Sequence, residues 1–241
     1  MVAGSPSAID STPTRSLPRR EPVSVHPPVR APSNVPLVHA VTTDEVVARA
    51  DFLDVACAVM AALGPRGALH LRAGRATGAQ LETIGVTLAA AQQVTGAWLV
   101  VNDRIDVALA VRARGAQLTS QSLAAADARL AAPSLAIGAS VHGVPEGIEA
   151  STGGADWLVA GRVFDAPSKT GDGRGMAFVE ALIAAVALPV IAIGGVRPSH
   201  CRALRLAGVH GVAVIRGIWD APNAERAASD YLSCYDDAGV S

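Results

Sequence analysis

The sequence predicts a single (β/α)8 barrel, and three observations predict it. Eight short apolar runs recur along the chain, separated by Ala- and Leu-rich amphipathic stretches at the spacing of βα units, about 20 to 30 residues. Several runs are apolar at nearly every position, as parallel strands buried on both faces require, whereas a half-exposed antiparallel strand would alternate. Of the 241 residues, 50% are hydrophobic and only 3% aromatic, so the core has to be built from Ala, Val, Leu and Ile. An open doubly wound sheet is the alternative, but no GxGxxG follows the first run.

Taken in order, the runs are 37–41, 68–72, 98–102, 116–118, 135–140, 156–161, 189–194 and 211–215. Helices are expected between them, among others over 44–63, 77–94, 104–112, 176–186 and 198–207. Thr43 before Asp44 and Glu45 suits an N-cap, and Pro198 suits the start of its segment. Val144, Pro145 and Glu146 open another helix. The uncharged stretches 83–102 and 181–196 are interrupted by Gln92, Gln93, Gly96, Pro189 and Gly194, so each reads as buried helix, turn and strand and no membrane span is expected. Residues 1–35 are rich in Pro, Ser and Arg and lack an apolar signal core. They are expected to be a disordered tail, or a start codon placed too early, leaving 36–241 as the barrel. Asp10, Glu21 and the prolines speak against an organelle transit peptide.

The 20 basic and 21 acidic residues sum to a net charge of −1, which removes the electrostatic footprint of a nucleic-acid binder. Cys57, Cys201 and Cys234 lack any zinc-type spacing and read as isolated reduced thiols of a cytoplasmic protein.

In a barrel of this class the chemistry lies at the C-terminal ends of the strands. That filter selects Arg72, Asn102, Asp103, the segment 120–122, Ser140, His142, the long loop 162–174, Gly194-Gly195 and Arg216-Gly217. Glycines after the seventh and eighth runs let backbone N–H groups approach an anion closely, so they read as a phosphate site, with tight turns alone as the bland alternative. His142 suits proton transfer near neutrality, although a solvent-facing helix start would also place a histidine there. His39 and His70 read as packed or hydrogen-bonded interior residues. Lys169, the chain's single lysine, lies in the long loop and faces an anion there or is a solvated charge.

The segments VNDRIDVALAVRARGAQL (101–118), IGASVHG (137–143), GADWLVAGRVFDAPSKTG (154–171), PVIAIGGV (189–196) and AGVHGVAVIRGIWDA (207–221) resemble, in order and spacing, the thiamine phosphate synthase and TenI superfamily. The resemblance implies a (β/α)8 barrel handling phosphorylated intermediates of thiamin biosynthesis. Its synthase branch carries QxRxK in the second strand and GQED after the fourth, where Lys and Arg hold pyrophosphate. The last Asp of GQED and the Asp of the NDR motif bind Mg²⁺. Here the corresponding segments read HLRAG, ending at Gly74, and TSQS, ending at Ser122. The lysine and the second carboxylate are therefore missing, and Asp103 alone is a poor site for a hard cation.

The other branch, similar to TenI-type thiazole tautomerases, needs no metal and aromatises a carboxythiazole phosphate by moving a proton. Its S-x-H element matches Ser140 and His142, and its Lys plus GRG loop matches Lys169 and Gly173-Arg174-Gly175. The resemblance thus implies His142 as the acid or base, with Arg72, Asn102, Ser140, Lys169, Gly194, Gly195, Arg216 and Gly217 around a small phosphorylated thiazole. No cofactor is expected, and Mg²⁺ only for a synthase. Gly143, where the pattern often has Ser, leaves the hydrogen-bond partner of His142 open. A thiamine phosphate synthase or a catalytically silent phosphate-ligand regulator are the competing readings, and a homo-oligomer is the expected assembly.

Overall fold

Each apolar run becomes a strand in the computed structural model, which describes Met1 and residues 34–164 and 174–237. The strands are β1 (Val38–Val41), β2 (Gly67–Leu71), β3 (Trp98–Asn102), β4 (Gly115–Leu118), β5 (Ala136–Val141), β6 (Trp157–Gly161), β7 (Val190–Ile193) and β8 (Gly211–Val214). They pair in parallel in sequence order, and β8 closes on β1 with Val212 opposite Val38 and Ala213 opposite His39. The fold is a (β/α)8 barrel. Its helices are α1 (Asp44–Val47), α2 (Phe52–Leu63), α3 (Gly78–Thr95), α4 (Ile105–Ala110), α5 (Ala125–Ala131), α6 (Val144–Thr152), α7 (Gly175–Ala185), α8 (Cys201–Leu206), α9 (Arg216–Trp219) and α10 (Ala224–Asp237). Among the described residues no helix is long and apolar enough to cross a membrane.

Local signals set the helix starts. Thr43 accepts the Val46 N–H at 3.3 Å, and Thr77 with Gln80 forms a reciprocal capping box on α3. The single helix expected over 44–63 is broken after α1. There the Arg49 guanidinium donates to the Trp219 carbonyl at 2.7 Å and lies 3.5 Å from Asp220, so a tertiary contact outweighs helical continuity. The chain after α9 also forms α10, whose Tyr231 and Tyr235 hydroxyls donate to the Val196 and Val209 carbonyls. Cys201 and Cys234 are not isolated, as their spacing suggested: α8 and α10 bring the two thiols into hydrogen-bond contact, and burial pushes Cys201 up to about 12.

Strand residues alternate between two cores. Outward side chains such as Leu69, Leu99, Ile137 and Leu158 pack under the helices, while inward ones fill the barrel around Trp98 and Trp157, whose rings meet edge-on at 6.2 Å. Val35, assigned above to the tail, is 4% exposed and belongs to this inner core. The rest of the expected tail, residues 2–33, lies outside the described residues.

Two histidines occupy the interior as the sequence suggests. His39 Nδ1 and His70 Nε2 are 2.8 Å apart, and His39 Nε2 is 2.9 Å from the Pro36 carbonyl. Burial lowers His39 to about 4, and burial followed by the neighbouring His39 lowers His70 well below an ordinary histidine.

Both sets of contacts make predictions. The Asp156 Oδ2 accepts from Arg129 Nη2 at 2.6 Å and from the buried Ile137 N–H at 2.7 Å. Asp156→Ala strands both donors and should cost about 3 kcal/mol in urea unfolding. The buried histidines bind protons only below about pH 4 in the case of His39, whereas in the unfolded chain they protonate near 6.5. Stability should hold above pH 6.5 and fall toward pH 4, by about 1.4 kcal/mol per pH unit for each ring that stays neutral. Urea midpoints between pH 7 and 5 should flatten in His39→Gln/His70→Gln.

Candidate functional site

The mouth of the barrel is formed where the strands end, and short strands bring it close to the packed interior. Asn102 ends β3, and the next residue, Asp103, sits in left-handed backbone at φ 61°. Asparagine and aspartate tolerate this region better than most side chains. Asp103 is held there by its own carboxylate: Oδ1 accepts from the Thr119 N–H at 3.1 Å, from Thr119 Oγ1 at 2.6 Å and from Ser122 Oγ. The loops after β3 and β4 are thereby tied together.

Ser140 lies in β5, with its Oγ 3.0 Å from Gln117 Nε2 of β4, and Gln117 Oε1 takes the Trp157 indole N–H of β6 at 3.0 Å. His142 follows β5 directly. Its Nδ1 is 2.9 Å from the Gly161 carbonyl at the end of β6, and its backbone N–H donates to Glu146 Oε2 at 2.7 Å. A carbonyl only accepts, so Nδ1 carries a proton and Nε2 is the nitrogen left for chemistry. The partner of His142 left open by Gly143 is thus a main-chain oxygen at the end of the next strand, β6.

The phosphate-type loops stand next to each other because β7 and β8 do. Gly194 and Gly195 have φ of 98° and 64°, a region that L side chains avoid, and a Cβ on Gly194 would run into Arg162. Arg216 and Gly217 open α9, but the space beside Gly217 is taken by the Tyr231 hydroxyl, so tight packing accounts for that glycine. Arg72 follows β2 with an exposed side chain, while its backbone N–H donates to Thr42 Oγ1 at 2.9 Å. Lys169 lies outside the described residues. Arg174, from the same loop, places its guanidinium 5.5 Å over the Phe178 ring.

The structure therefore gathers Asn102 and Ser140 on either side of Gln117, and His142 against Gly161. Sequence reasoning missed Gln117, Trp157 and Gly161 as parts of the site. The available signal was a polar residue at an inward position of a strand, as at Asn102 and Gln117.

The Mg²⁺ that a synthase would use does not fit the donors present. Asp103 Oδ1 already receives Thr119 and Ser122, Ser122 replaces the second carboxylate, and among the described residues no three His, Cys, Asp or Glu side chains cluster as metal ligands.

Comparison with known proteins leads to the synthases by name. The pattern of the family described as thiamine monophosphate synthase matches residues 38–218. A thiamine-phosphate synthase of Pyrococcus furiosus is 37% identical over 169 residues, covering 69% of this chain and 81% of its own. One from Methanoculleus marisnigri is 36% identical over 181 residues, 74% of this chain and 85% of its own. Among solved structures, thiamine phosphate pyrophosphorylase from Pyrococcus furiosus superposes with a TM-score of 0.75 at 31% identity, covering 85% of this chain and 98% of that one. A 3-hexulose-6-phosphate synthase shares the fold alone, at TM-score 0.59 and 15% identity. A match running from β1 into α9, with relatives above 35% identity over most of the barrel, shows that this chain belongs to the thiamine monophosphate synthase family.

Proposed function

We propose that this chain acts in thiamin biosynthesis as a metal-independent isomerase that aromatises a carboxythiazole phosphate by proton transfer through His142. The observation that carries the reading is the 2.9 Å contact from His142 Nδ1 to the Gly161 carbonyl. It holds the ring in one orientation at the barrel mouth and presents Nε2 to the ligand. In its neutral form Nε2 takes a proton from one carbon of the substrate, and as imidazolium it returns a proton at another, so composition does not change. Gly194, Gly195 and the start of α9 would hold the phosphate through backbone donors, and Lys169 and Arg174 would approach the anion from the long loop. Arg72 would add a further cation at the rim.

The names of the relatives favour a second reading, Mg²⁺-dependent coupling of a thiazole phosphate to a pyrimidine pyrophosphate. Against it stand Gly74 in place of the pyrophosphate lysine and the closed Asp103–Thr119–Ser122 network. The Thr119 and Ser122 hydroxyls of this network are committed to Asp103 and bring no positive charge to a leaving pyrophosphate.

Both readings are testable on one sample. The purified protein should accelerate aromatisation in the presence of a chelator, and His142→Ala should bind the substrate while losing about 10²- to 10⁴-fold in rate. Coupling of the two phosphorylated halves with added Mg²⁺ should be absent. Full activity of His142→Ala rejects the assignment, Mg²⁺-dependent coupling establishes the synthase, and binding without any turnover points to a regulator.

A further inference from the structure

Two chains of buried hydrogen bonds rise to the mouth of the barrel, and their fixed ends leave each one direction to run. The first begins at the Pro36 carbonyl, which only accepts, so His39 Nε2 at 2.9 Å must carry that ring's proton. Complete burial keeps His39 neutral, with the Pro36 carbonyl pulling weakly upward and His210 pushing downward. A neutral ring has a single N–H. His39 Nδ1 is therefore bare and accepts from His70 Nε2 at 2.8 Å. His70, buried and neutral in turn, keeps a bare Nδ1, and the neighbouring side chain is Asn102. The two ends of a carboxamide have the same shape, so the ring decides between them: a bare nitrogen takes the NH₂ end. Asn102 is 8% exposed, and its Oδ1 has no hydrogen-bond partner among the described residues.

The second chain begins at an indole, which only donates. Trp157 Nε1 gives its proton to Gln117 Oε1 at 3.0 Å, which fixes the amide. Gln117 Nε2 then donates to Ser140 Oγ at 3.0 Å and to the Leu118 carbonyl at 3.4 Å. Ser140 accepts, and its own proton is directed away from Gln117. Gly138 makes this possible, because a Cβ there would fall on both the indole and Gln117 Oε1. Asn102, Gln117, Gly138 and Trp157 are cross-strand partners in one layer of the barrel.

We propose that His39, His70, Trp157 and Gln117 are positioning residues that polarise the mouth. Asn102 Oδ1 offers an acceptor and the Ser140 hydroxyl a donor, so the mouth selects how a heterocyclic ligand is turned, with an accepting atom such as a carboxythiazole's ring nitrogen or carboxylate toward Ser140 and any N–H or O–H toward Asn102. This selection rests on the barrel mouth being the ligand site but not on the reaction performed there.

The test uses the full chain labelled with ¹⁵N-histidine, free of ligand. His39 and His70, assigned from the signals lost in His39→Gln and His70→Gln, should both be neutral Nε2–H tautomers at pH 7. Asn102→Asp replaces the donor with a carboxylate, and His70 should then take a proton on Nδ1 and appear as imidazolium. An Nδ1–H tautomer in either ring, or an unchanged His70 in Asn102→Asp, overturns the proposal. Calorimetry with carboxythiazole phosphate adds the ligand side: Ser140→Ala and Gln117→Leu should bind it about 5- to 30-fold more weakly, with inorganic phosphate unaffected. Equal affinity in Ser140→Ala, or wild-type affinity no better than for inorganic phosphate, also overturns it. Absent turnover with these affinities intact counts against the tautomerase alone.

Discussion

Closure of the sheet between β8 and β1 is the constraint on which everything else rests. Once the seam is made, inward side chains have no solvent to face, and a cylinder of strands only four to six residues long has to be filled from within. Trp98 and Trp157 are the bulkiest residues of an inner core otherwise built from Val, Ala and Ile. Each buries about 150 to 250 Å² and is worth on the order of 5 kcal/mol. Polar groups that share this space are costly unless paired inside the protein, and Trp98 Nε1 and Asn102 Oδ1 are left without a partner among the described residues. Histidine meets that demand in the neutral form, which is why His39 and His70 are held so far below ordinary values.

The floor built this way explains how a family fold can carry a different donor set at its mouth. Barrel closure depends on β-branched and small residues in the strands, whereas the residues after each strand end face outward and are free to vary. Relatives named as thiamine-phosphate synthases match this chain across the barrel, and yet Gly74 and Ser122 stand where that activity calls for a cation and an anion. The place of the second metal-binding carboxylate is filled by a hydroxyl that closes onto Asp103. The Ser122 hydroxyl donates to the remaining carboxylate, and together with Thr119 it keeps the loops after β3 and β4 joined.

Much of this was legible from the amino acids because it depends on neighbours in sequence. Continuous apolar runs marked every strand to within a residue or two, and Thr43 before Asp44 and Glu45 marked the start of α1. What escaped depends on pairs that only strand register creates. His39 meets His70 across 31 residues, and Trp157 meets Gln117 across 40. The break after α1 is imposed by Arg49 reaching Trp219, 170 residues away. His142 was visible from its position after a strand, but the oxygen that orients it, Gly161 O, is a main-chain atom, and no side chain advertises it.

The unpartnered Asn102 Oδ1 gives the arrangement its energetic direction. A buried acceptor left without a donor costs about 1 to 3 kcal/mol, a cost the folded chain carries whenever the site is empty. The cost could be relieved by turning the amide, but the His39–His70 tautomer chain holds the NH₂ end in place. A ligand that brings a donor therefore gains the hydrogen bond and removes the penalty, without reorganising the site. A ligand that brings an acceptor meets a like partner that cannot turn. Discrimination of this kind acts through an unmet polar group, and it is steeper than shape alone provides. In this barrel it is set by two rings and an indole that the ligand need never touch.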